Sequence, residues 1–475
     1  MSDYRETLYT VTKDGSRKWV YAEIIRGFFY RRRTLVAYIL LTVYLSMPWI
    51  TVGNSQAVFL DIFNRKFVFF GSTFWATDMR YLFLVLGALA FSLFFFTALF
   101  GRIWCGWACP ETVFVEFVFR PIETLIEGSP QKRKKLDQSH LTVEKFLKKS
   151  AKYLVFSIIA WCIASTFLAY FLGKDRLLHM ITGSPLENLD MFLVTLLMMG
   201  VILFQFGWFR EQFCTVLCPY ARFQSVLLDS DSLLVGYDRN RGEPRGKLEK
   251  EGQQTKGDCI DCGLCVRVCP TGIDIRNGLQ LECVQCAACA DACDSIMAKI
   301  GRPLKLIRYD TEHGLAGSRT HFIRPRVMLY GSILALYFST FTYFFSTREL
   351  SEFQLMRGKT DDVFLRLSSN QISNKMNLHI SNKSETERSF TLSIVAQNAV
   401  SFITPLNPIK VAGGKDLIVP VFFNFSPDLL EAGAKRITIK LVDDYNFVGT
   451  QEITLLGPEK ESRDLEEEES EANNE

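Results

Sequence analysis

Histidine is scarce in this chain and scattered. The five are His140, His179, His313, His321 and His379, and no two share one face of a long apolar run at helical spacing. The paired histidines that would hold a buried haem are therefore not visible. His179-Met180 reads as an ordinary loop pair, with a metal contact as the lesser alternative. Cysteine is missing from about Asp361 to Gly457, which leaves that stretch without thiolate chemistry or disulfides. Charge is missing from whole runs, most completely from Tyr81–Phe100. A buried soluble helix of that length would show a polar stripe. Met1 to Arg33 is polar and lacks an apolar core flanked by small residues, so it is not a cleavable signal peptide. Excess charge is absent too: the net value of +3 averages a basic front and an acidic end, and nothing points to nucleic acid.

What is abundant is phenylalanine, at 40 of 475 residues, gathered in uncharged runs. Five runs are long enough, or nearly so, to cross a bilayer: about 34–50, 81–100, 153–172, 191–209 and 327–345. Trp49, Trp104, Trp107 and Trp208 lie near run ends, where amphipathic rings favour the interface. The basic residues of the connecting segments number eight before the first run, then three, nine and two, with many more in 210–326. That alternation predicts a cytoplasmic N-terminus and an outward C-terminus. The segment "AVFLDIFNRKFVFFG", with Asn64-Arg65 at its middle, reads either as a small hairpin or as an irregular loop.

Thirteen cysteines remain to be explained, and eight stand in one stretch. Their order is Cys259-x2-Cys262-x2-Cys265-x3-Cys269-Pro270, then Cys283-x2-Cys286-x2-Cys289-x3-Cys293. Each half is the run that bacterial two-cluster ferredoxins use, in which the fourth Cys ligates the other cluster. We therefore assign Cys259, Cys262, Cys265 and Cys293 to one [4Fe–4S] cluster, and Cys283, Cys286, Cys289 and Cys269 to a second. Gly263 and Gly272 suit loops that bend closely round a cofactor. Asp294 stands where a second Pro is expected, a departure that bears on the second cluster's environment or potential. Structural zinc takes four ligands, not two interleaved sets of four. Disulfides need an oxidising compartment.

Two further pairs follow the second and fourth runs: Cys105-Gly-Trp-Ala-Cys109-Pro110 and Cys214-Thr-Val-Leu-Cys218-Pro219. The likeness suggests an internal duplication. Residues at i and i+4 share a helix face, and Pro suits the first turn of a helix leaving the motif. Paired soft thiolates suit Cu(I), zinc or dithiol chemistry. The alternative is helix packing, since free Cys is often a small buried hydrophobe. Cys162, mid-run, reads as packing.

The segment 229–257, polar and glycine-bearing, reads as a linker to the cluster module. After the fifth run the pattern changes to short alternating segments: "VFLRL", "MNLHI", "FTLSIVA", "LIVPVFFNF" and "RITIKLV". Turn signals separate them, and an antiparallel β-sandwich is expected. The end, with Glu466 to Glu469, reads as a disordered acidic tail.

The expected organisation is thus a polytopic α-helical membrane protein of five spans. A cytoplasmic segment covers 1–33, a four-span region 34–210, and a cytoplasmic segment and linker 211–257. A two-cluster ferredoxin-like module covers 258–326, a fifth span 327–345, an immunoglobulin-like periplasmic domain 346–457 and the tail 458–475. The combination, with "CGWACPE" at Cys105–Glu111 and the run Cys259–Pro270, resembles the FixG/CcoG/RdxA family of cytochrome c oxidase accessory proteins. The resemblance implies a bacterial inner-membrane protein that matures a cbb3-type cytochrome oxidase and reduces Cu(II) to Cu(I) on the cytoplasmic side. The residues then read as an electron-transfer oxidoreductase with two [4Fe–4S] clusters and with copper near Cys105, Cys109, Cys214 and Cys218. Electrons would come from a cytoplasmic donor or the quinone pool. Partners are the membrane and the oxidase assembly machinery, with a homodimer left open. Two other classes stand beside this reading: a quinol dehydrogenase-type donor, and a non-enzymatic assembly scaffold.

Overall fold

A computed structural model describes residues 17–458, except 54, 76–77, 248–256, 359–362, 369–370, 385, 396–398 and 446. The acidic tail and the first sixteen residues lie outside the described residues. The chain divides into two compact units. The first comprises 1–50 and 79–342, the second 51–78 and 343–475.

Among the described residues, four helices are long and apolar enough to cross a membrane: Met79–Phe100, Val143–Leu172, Leu189–Phe209 and Pro325–Ser346. Their ends follow local chemistry. Thr142 caps the second, its side chain accepting from the Lys145 N–H. Gly101 and Gly173 close the first and second at φ +58° and +83°, backbone that glycine adopts at no steric cost. The earliest apolar run departs from expectation. Its helix covers Phe28–Ser46 and gives way at Pro48 to the single turn Met47–Trp49, so it starts six residues before the apolar run and carries Arg31, Arg32 and Arg33 in its first turns. The early start has a tertiary cause. Asp291, far along the chain, accepts from the N–H groups of Phe29 and Tyr30 at 3.0 and 2.7 Å and caps the helix.

The segment expected to be a linker is partly structured. Leu234–Tyr237 is a fully buried strand, paired antiparallel with Ile307–Asp310, and the two close the cluster module from either end of its sequence. His179 and Met180 belong to the helix Lys174–Thr182 and not to a loop.

The second unit is a sandwich of two antiparallel sheets. One orders the strands Val400–Ile403, Lys415–Phe425, Gln371–Asn382 and Ser351–Arg357, with Leu365–Ser368 also on Gln371–Asn382. The other orders Ile409–Val411, Arg388–Val395, Ala434–Asp443 and Val448–Leu456. Period-two alternation sends Val419, Val421, Phe423 and Phe425 inward, where they meet Leu378, Ile380, Phe390, Ile439 and Leu441. Each such side chain contributes roughly 1.5–3 kcal/mol through burial. Pro420 fits inside a strand because only 422–425 of that strand pairs with the short Val400–Ile403, which leaves an edge beside Pro420. The segment around Asn64-Arg65 forms the expected hairpin, Val58–Asp61 against Lys66–Phe69, extended by a third strand, Ser72–Trp75. Just beyond it Asp78, 4% exposed, is paired with Arg348 at 3.1 Å and Lys383 at 2.8 Å.

Candidate iron–sulfur and thiol sites

The cluster module builds its two cysteine loops the same way. In each, the residue before the second Cys and the residue after it have left-handed backbone. Asp261 and Gly263 sit at φ +53° and +67°, and Gln285 and Ala287 at +54° and +57°. The bend turns each loop back on itself so that three sulfurs face one volume. A short helix follows each bend, Leu264–Arg267 and Ala288–Lys299. Gly263 and Gly272 were legible as bend residues, and Gly272 indeed has φ +74°. Asp261, Gln285 and Ala287 were not, because nothing in those residue types marks positive φ.

The eight thiols fall into crossed sets. Cys293 feels the charges of Cys265, Cys259 and Cys262. Cys289 feels those of Cys286, Cys283 and Cys269, and more weakly Cys265. Thus the last Cys of each run stands with the first three of the other. Asp294 follows its neighbour Cys293 to the first set and adds its negative charge there, not at the second set as its place in the sequence suggested. Cys265, Cys269, Cys283, Cys286 and Cys289 line one small cavity with Ile273, Ile275 and Val235, a dry wall for a cofactor. Burial pushes the free thiols up, Cys265, Cys283 and Cys293 to about 12 and Cys269 to about 11. Such thiols stay protonated at neutral pH unless a metal takes the proton's place. Eight thiols in two crossed sets, with loops bent round each, fit two [4Fe–4S] clusters.

The two shorter cysteine pairs converge in the same unit. The residues do not lie on one continuous helix, as their spacing suggested. Cys105 lies in the short helix Ile103–Trp107, which ends at Ala108, and Cys109 caps a new helix opened by Pro110. Likewise Cys214 lies in the wide turn Phe213–Leu217, and Cys218 caps the helix Pro219–Leu227. All six pairings among the four thiols are felt electrostatically. The Cys105 thiol donates to Gln224 Oε1 at 3.5 Å, which joins the first pair to the helix that Cys218 caps. Burial raises the Cys105 thiol to about 12 and that of Cys214 well above the usual range. Beside them burial also lifts the Glu111 carboxyl to about 7, against a hydrogen bond from Gln205 at 2.8 Å. Its other oxygen has no hydrogen-bond partner among the described residues.

The thiol site and the second cluster set touch. A Cβ on Gly106 would lie 2.6 Å from the Val284 carbonyl oxygen and 2.8 Å from the Cys286 Cα, so only glycine lets these backbones meet. The Arg102 N–H donates to Gln285 Oε1 at 2.8 Å. Trp107 Nε1 donates to the Tyr309 hydroxyl at 2.9 Å, and Tyr309 donates to the Gln285 carbonyl. Arg33, the last of the basic triplet, is 3% exposed and donates to the Gly106 carbonyl at 2.8 Å. Sequence alone marked that triplet as a topology signal and gave no hint of this contact.

Comparison with known proteins now bears on this arrangement. A model described as a 4Fe-4S dicluster domain matches residues 209–312, and one described as a 4Fe-4S binding domain matches 81–129. A model described as the IG-like fold at the C-terminal of FixG matches 341–458. Protein RdxA of Cereibacter sphaeroides is 33% identical over 423 residues, 85% of this chain and 87% of RdxA. The chain belongs to the FixG/RdxA family. Protein RdxB of the same organism is 32% identical over 453 residues, 90% of this chain and 92% of RdxB. The nitrogen fixation protein FixG of Rhizobium meliloti is 37% identical over 303 residues, 62% of this chain and 57% of FixG. As a FixG/RdxA family member with 4Fe-4S domains and apolar helices, it is an iron–sulfur electron-transfer protein of a membrane.

Proposed function

We propose that this protein carries electrons through two [4Fe–4S] clusters to Cu(II), giving Cu(I) on the cytoplasmic side of a bacterial inner membrane in support of cbb3-type oxidase assembly. The observation that carries the reading is the contact between the second cysteine set and the thiol site, through Gly106 and Cys286. The cluster ligands are Cys259, Cys262, Cys265 and Cys293 for the first, and Cys269, Cys283, Cys286 and Cys289 for the second. When bound, each cluster supplies reversible one-electron chemistry, which matches the single electron that Cu(II) takes. The chain's own residues do the rest. Gly106 sets the approach, Arg102 and Trp107 fix it by hydrogen bonds, and the apolar cavity wall keeps water from the sulfurs. Electrons leave at Cys105, Cys109, Cys214 and Cys218, whose soft sulfurs favour Cu(I) over Cu(II).

The excess of basic residues in alternate connecting segments supports a reading of five spans, with the first helix included and the sandwich on the periplasmic side. The test is anaerobic addition of Cu(II) to dithionite-reduced, desalted protein. Cluster reoxidation matched by Cu(I) appearance is expected. If Cys105→Ala with Cys109→Ala kept full copper reduction and both clusters, electrons would leave elsewhere.

A second reading, quinol as the electron source, draws on one further observation. A cavity of about 510 Å³ is lined by Leu40, Tyr44, Trp104, Pro110, Phe114 and Phe206, among others, and so borders the segment that carries Cys105 and Cys109. It is apolar and aromatic, as a lipid-soluble donor requires. Quinol oxidation by the purified protein, blocked by Phe206→Trp, is the expected result on this reading.

A further inference from the structure

The two C-x3-C-P segments are one site, not two. We propose that Cys105, Cys109, Cys214 and Cys218 together hold a third [4Fe–4S] cluster, two thiolates from each segment. This rests on the reading of the protein as an electron carrier and changes what its thiol site contains. Copper would then be reduced at the site's edge and not stored on the four sulfurs.

Four observations point the same way. First, the ligand number is right. A cubane needs four thiolates, and the four thiols sense one another in every pairing, with the Cys105–Gln224 bond tying the segments together. Second, the 4Fe-4S binding model that matches 81–129 covers only two cysteines, Cys105 and Cys109. Two thiolates do not complete a cubane, and the structure supplies the missing two from Cys214 and Cys218. Third, among the described residues no three Cys, His, Asp or Glu side chains are gathered round one point as a three- or four-coordinate ion requires. The same holds for the eight cysteines of the ferredoxin runs. Thiolates of a cubane each bind a different iron and stand wider apart than ligands of one ion. Fourth, all four thiols are half-buried, so the site can hold a resident cofactor and still leave it an open edge.

The placement also suits a relay. Gly106 lies inside the first segment and against the backbone of Cys286, a ligand of the second cluster. Thr112 and Cys214 share a small cavity with Pro270 and Thr271, which follow the second cluster's ligand Cys269. Each transfer moves one electron, from the reduced second cluster to the oxidised third, then from the reduced third to Cu(II). No bond is made or broken and no proton moves.

The experiment is iron and acid-labile sulfide quantitation with Mössbauer spectroscopy, on full-length protein purified anaerobically in detergent. About twelve irons per chain are expected, falling to about eight in Cys105→Ala with Cys109→Ala. About eight irons in both proteins, or copper bound at the four thiols of the unaltered protein, would overturn the proposal. Should the double variant fail to fold, Cys218→Ser serves, because serine oxygen still reaches the site. It is expected to shift the EPR signal of one cluster among three, and an unchanged spectrum would count against the third cluster. The two readings fail separately. Eight irons with Cu(I) formed removes only the third cluster, and twelve irons with no Cu(I) removes only copper as acceptor.

Discussion

The two units of this chain solve the same stability problem by opposite means. The sandwich is thiol-free and holds itself together with aliphatic and aromatic side chains from both sheets, Phe390, Phe423, Leu378 and Ile439 among them. The cluster module packs residues such as Ile273, Ile275, Leu306 and Ile307 together with thiols, and three of its buried core members are Cys259, Cys265 and Cys283. Where the sandwich buries hydrocarbon alone, the module buries hydrocarbon and candidate ligands together. A core that includes ligands is only complete when its metal is present, since binding free energy then is folding free energy. The contrast teaches that sensitivity to iron should divide the chain at the boundary between the units.

Stripping the iron with a chelator under oxidising conditions is the strongest test of that contrast. The region 258–310 is expected to become protease-sensitive while 351–456 stays resistant, as read by limited proteolysis and mass spectrometry. Equal loss in both would break the comparison. The converse test is Phe423→Ala. Phe423 is fully buried, and its truncation should destabilise the sandwich by about 3–5 kcal/mol without releasing iron.

These expectations draw on what the sequence made legible and what it did not. The eight-cysteine run announced its cofactor because a cubane tolerates few spacings, and the sandwich announced itself through alternation over Leu417–Phe425 and Arg436–Val442. The strands Ser351–Arg357 and Val448–Leu456 went unread because their polar positions at Gln354, Gln451 and Glu452 dilute the alternation. The strand Leu234–Tyr237 was hidden in a polar, glycine-bearing stretch, and its partner is seventy residues away. The convergence of Cys105 with Cys214 is a tertiary fact. Duplication hinted at two like sites, and only packing shows that the copies meet.

The first unit also buries a dense charge network, and pH probes it. Glu123, 2% exposed, meets Arg133 at 2.8 Å, Arg210 at 2.9 Å and Lys152 at 3.4 Å. Burial opposes its ionisation, but Arg210, Lys152 and Arg133 outweigh it and hold the carboxyl at about 2, against an ordinary 4.5. A depressed folded-state value means stability that is complete above the unfolded pKa and lost as pH falls toward the folded one. Glu123 should therefore contribute on the order of 3 kcal/mol at neutral pH, fading between about 4.5 and about 2. Glu123→Gln should remove most of that term at pH 7 and flatten the acid limb, read by detergent-phase thermal melts across pH. An unchanged acid limb would show that the network is neutral in balance.

The smallest expected effect separates the module's two halves from each other. Asp294 holds the place of the second proline, accepts from the Lys305 N–H at 2.7 Å, and puts its negative charge on Cys293. The corresponding place after Cys269 is Pro270, which carries no charge. A negative charge beside a cluster disfavours the added electron, so the first cluster should have the lower potential of the two on this account. Asp294→Asn removes the charge and leaves an oxygen that can still accept from Lys305. The first cluster's potential should then rise, by less than the ~59 mV that marks a tenfold change for a one-electron couple. The second should stay put, and the iron content should not change. Redox titration followed by EPR resolves the two signals. A shift in the second cluster instead would mean that Cys293 and Cys269 are not exchanged between the runs, and that each run closes its own cluster.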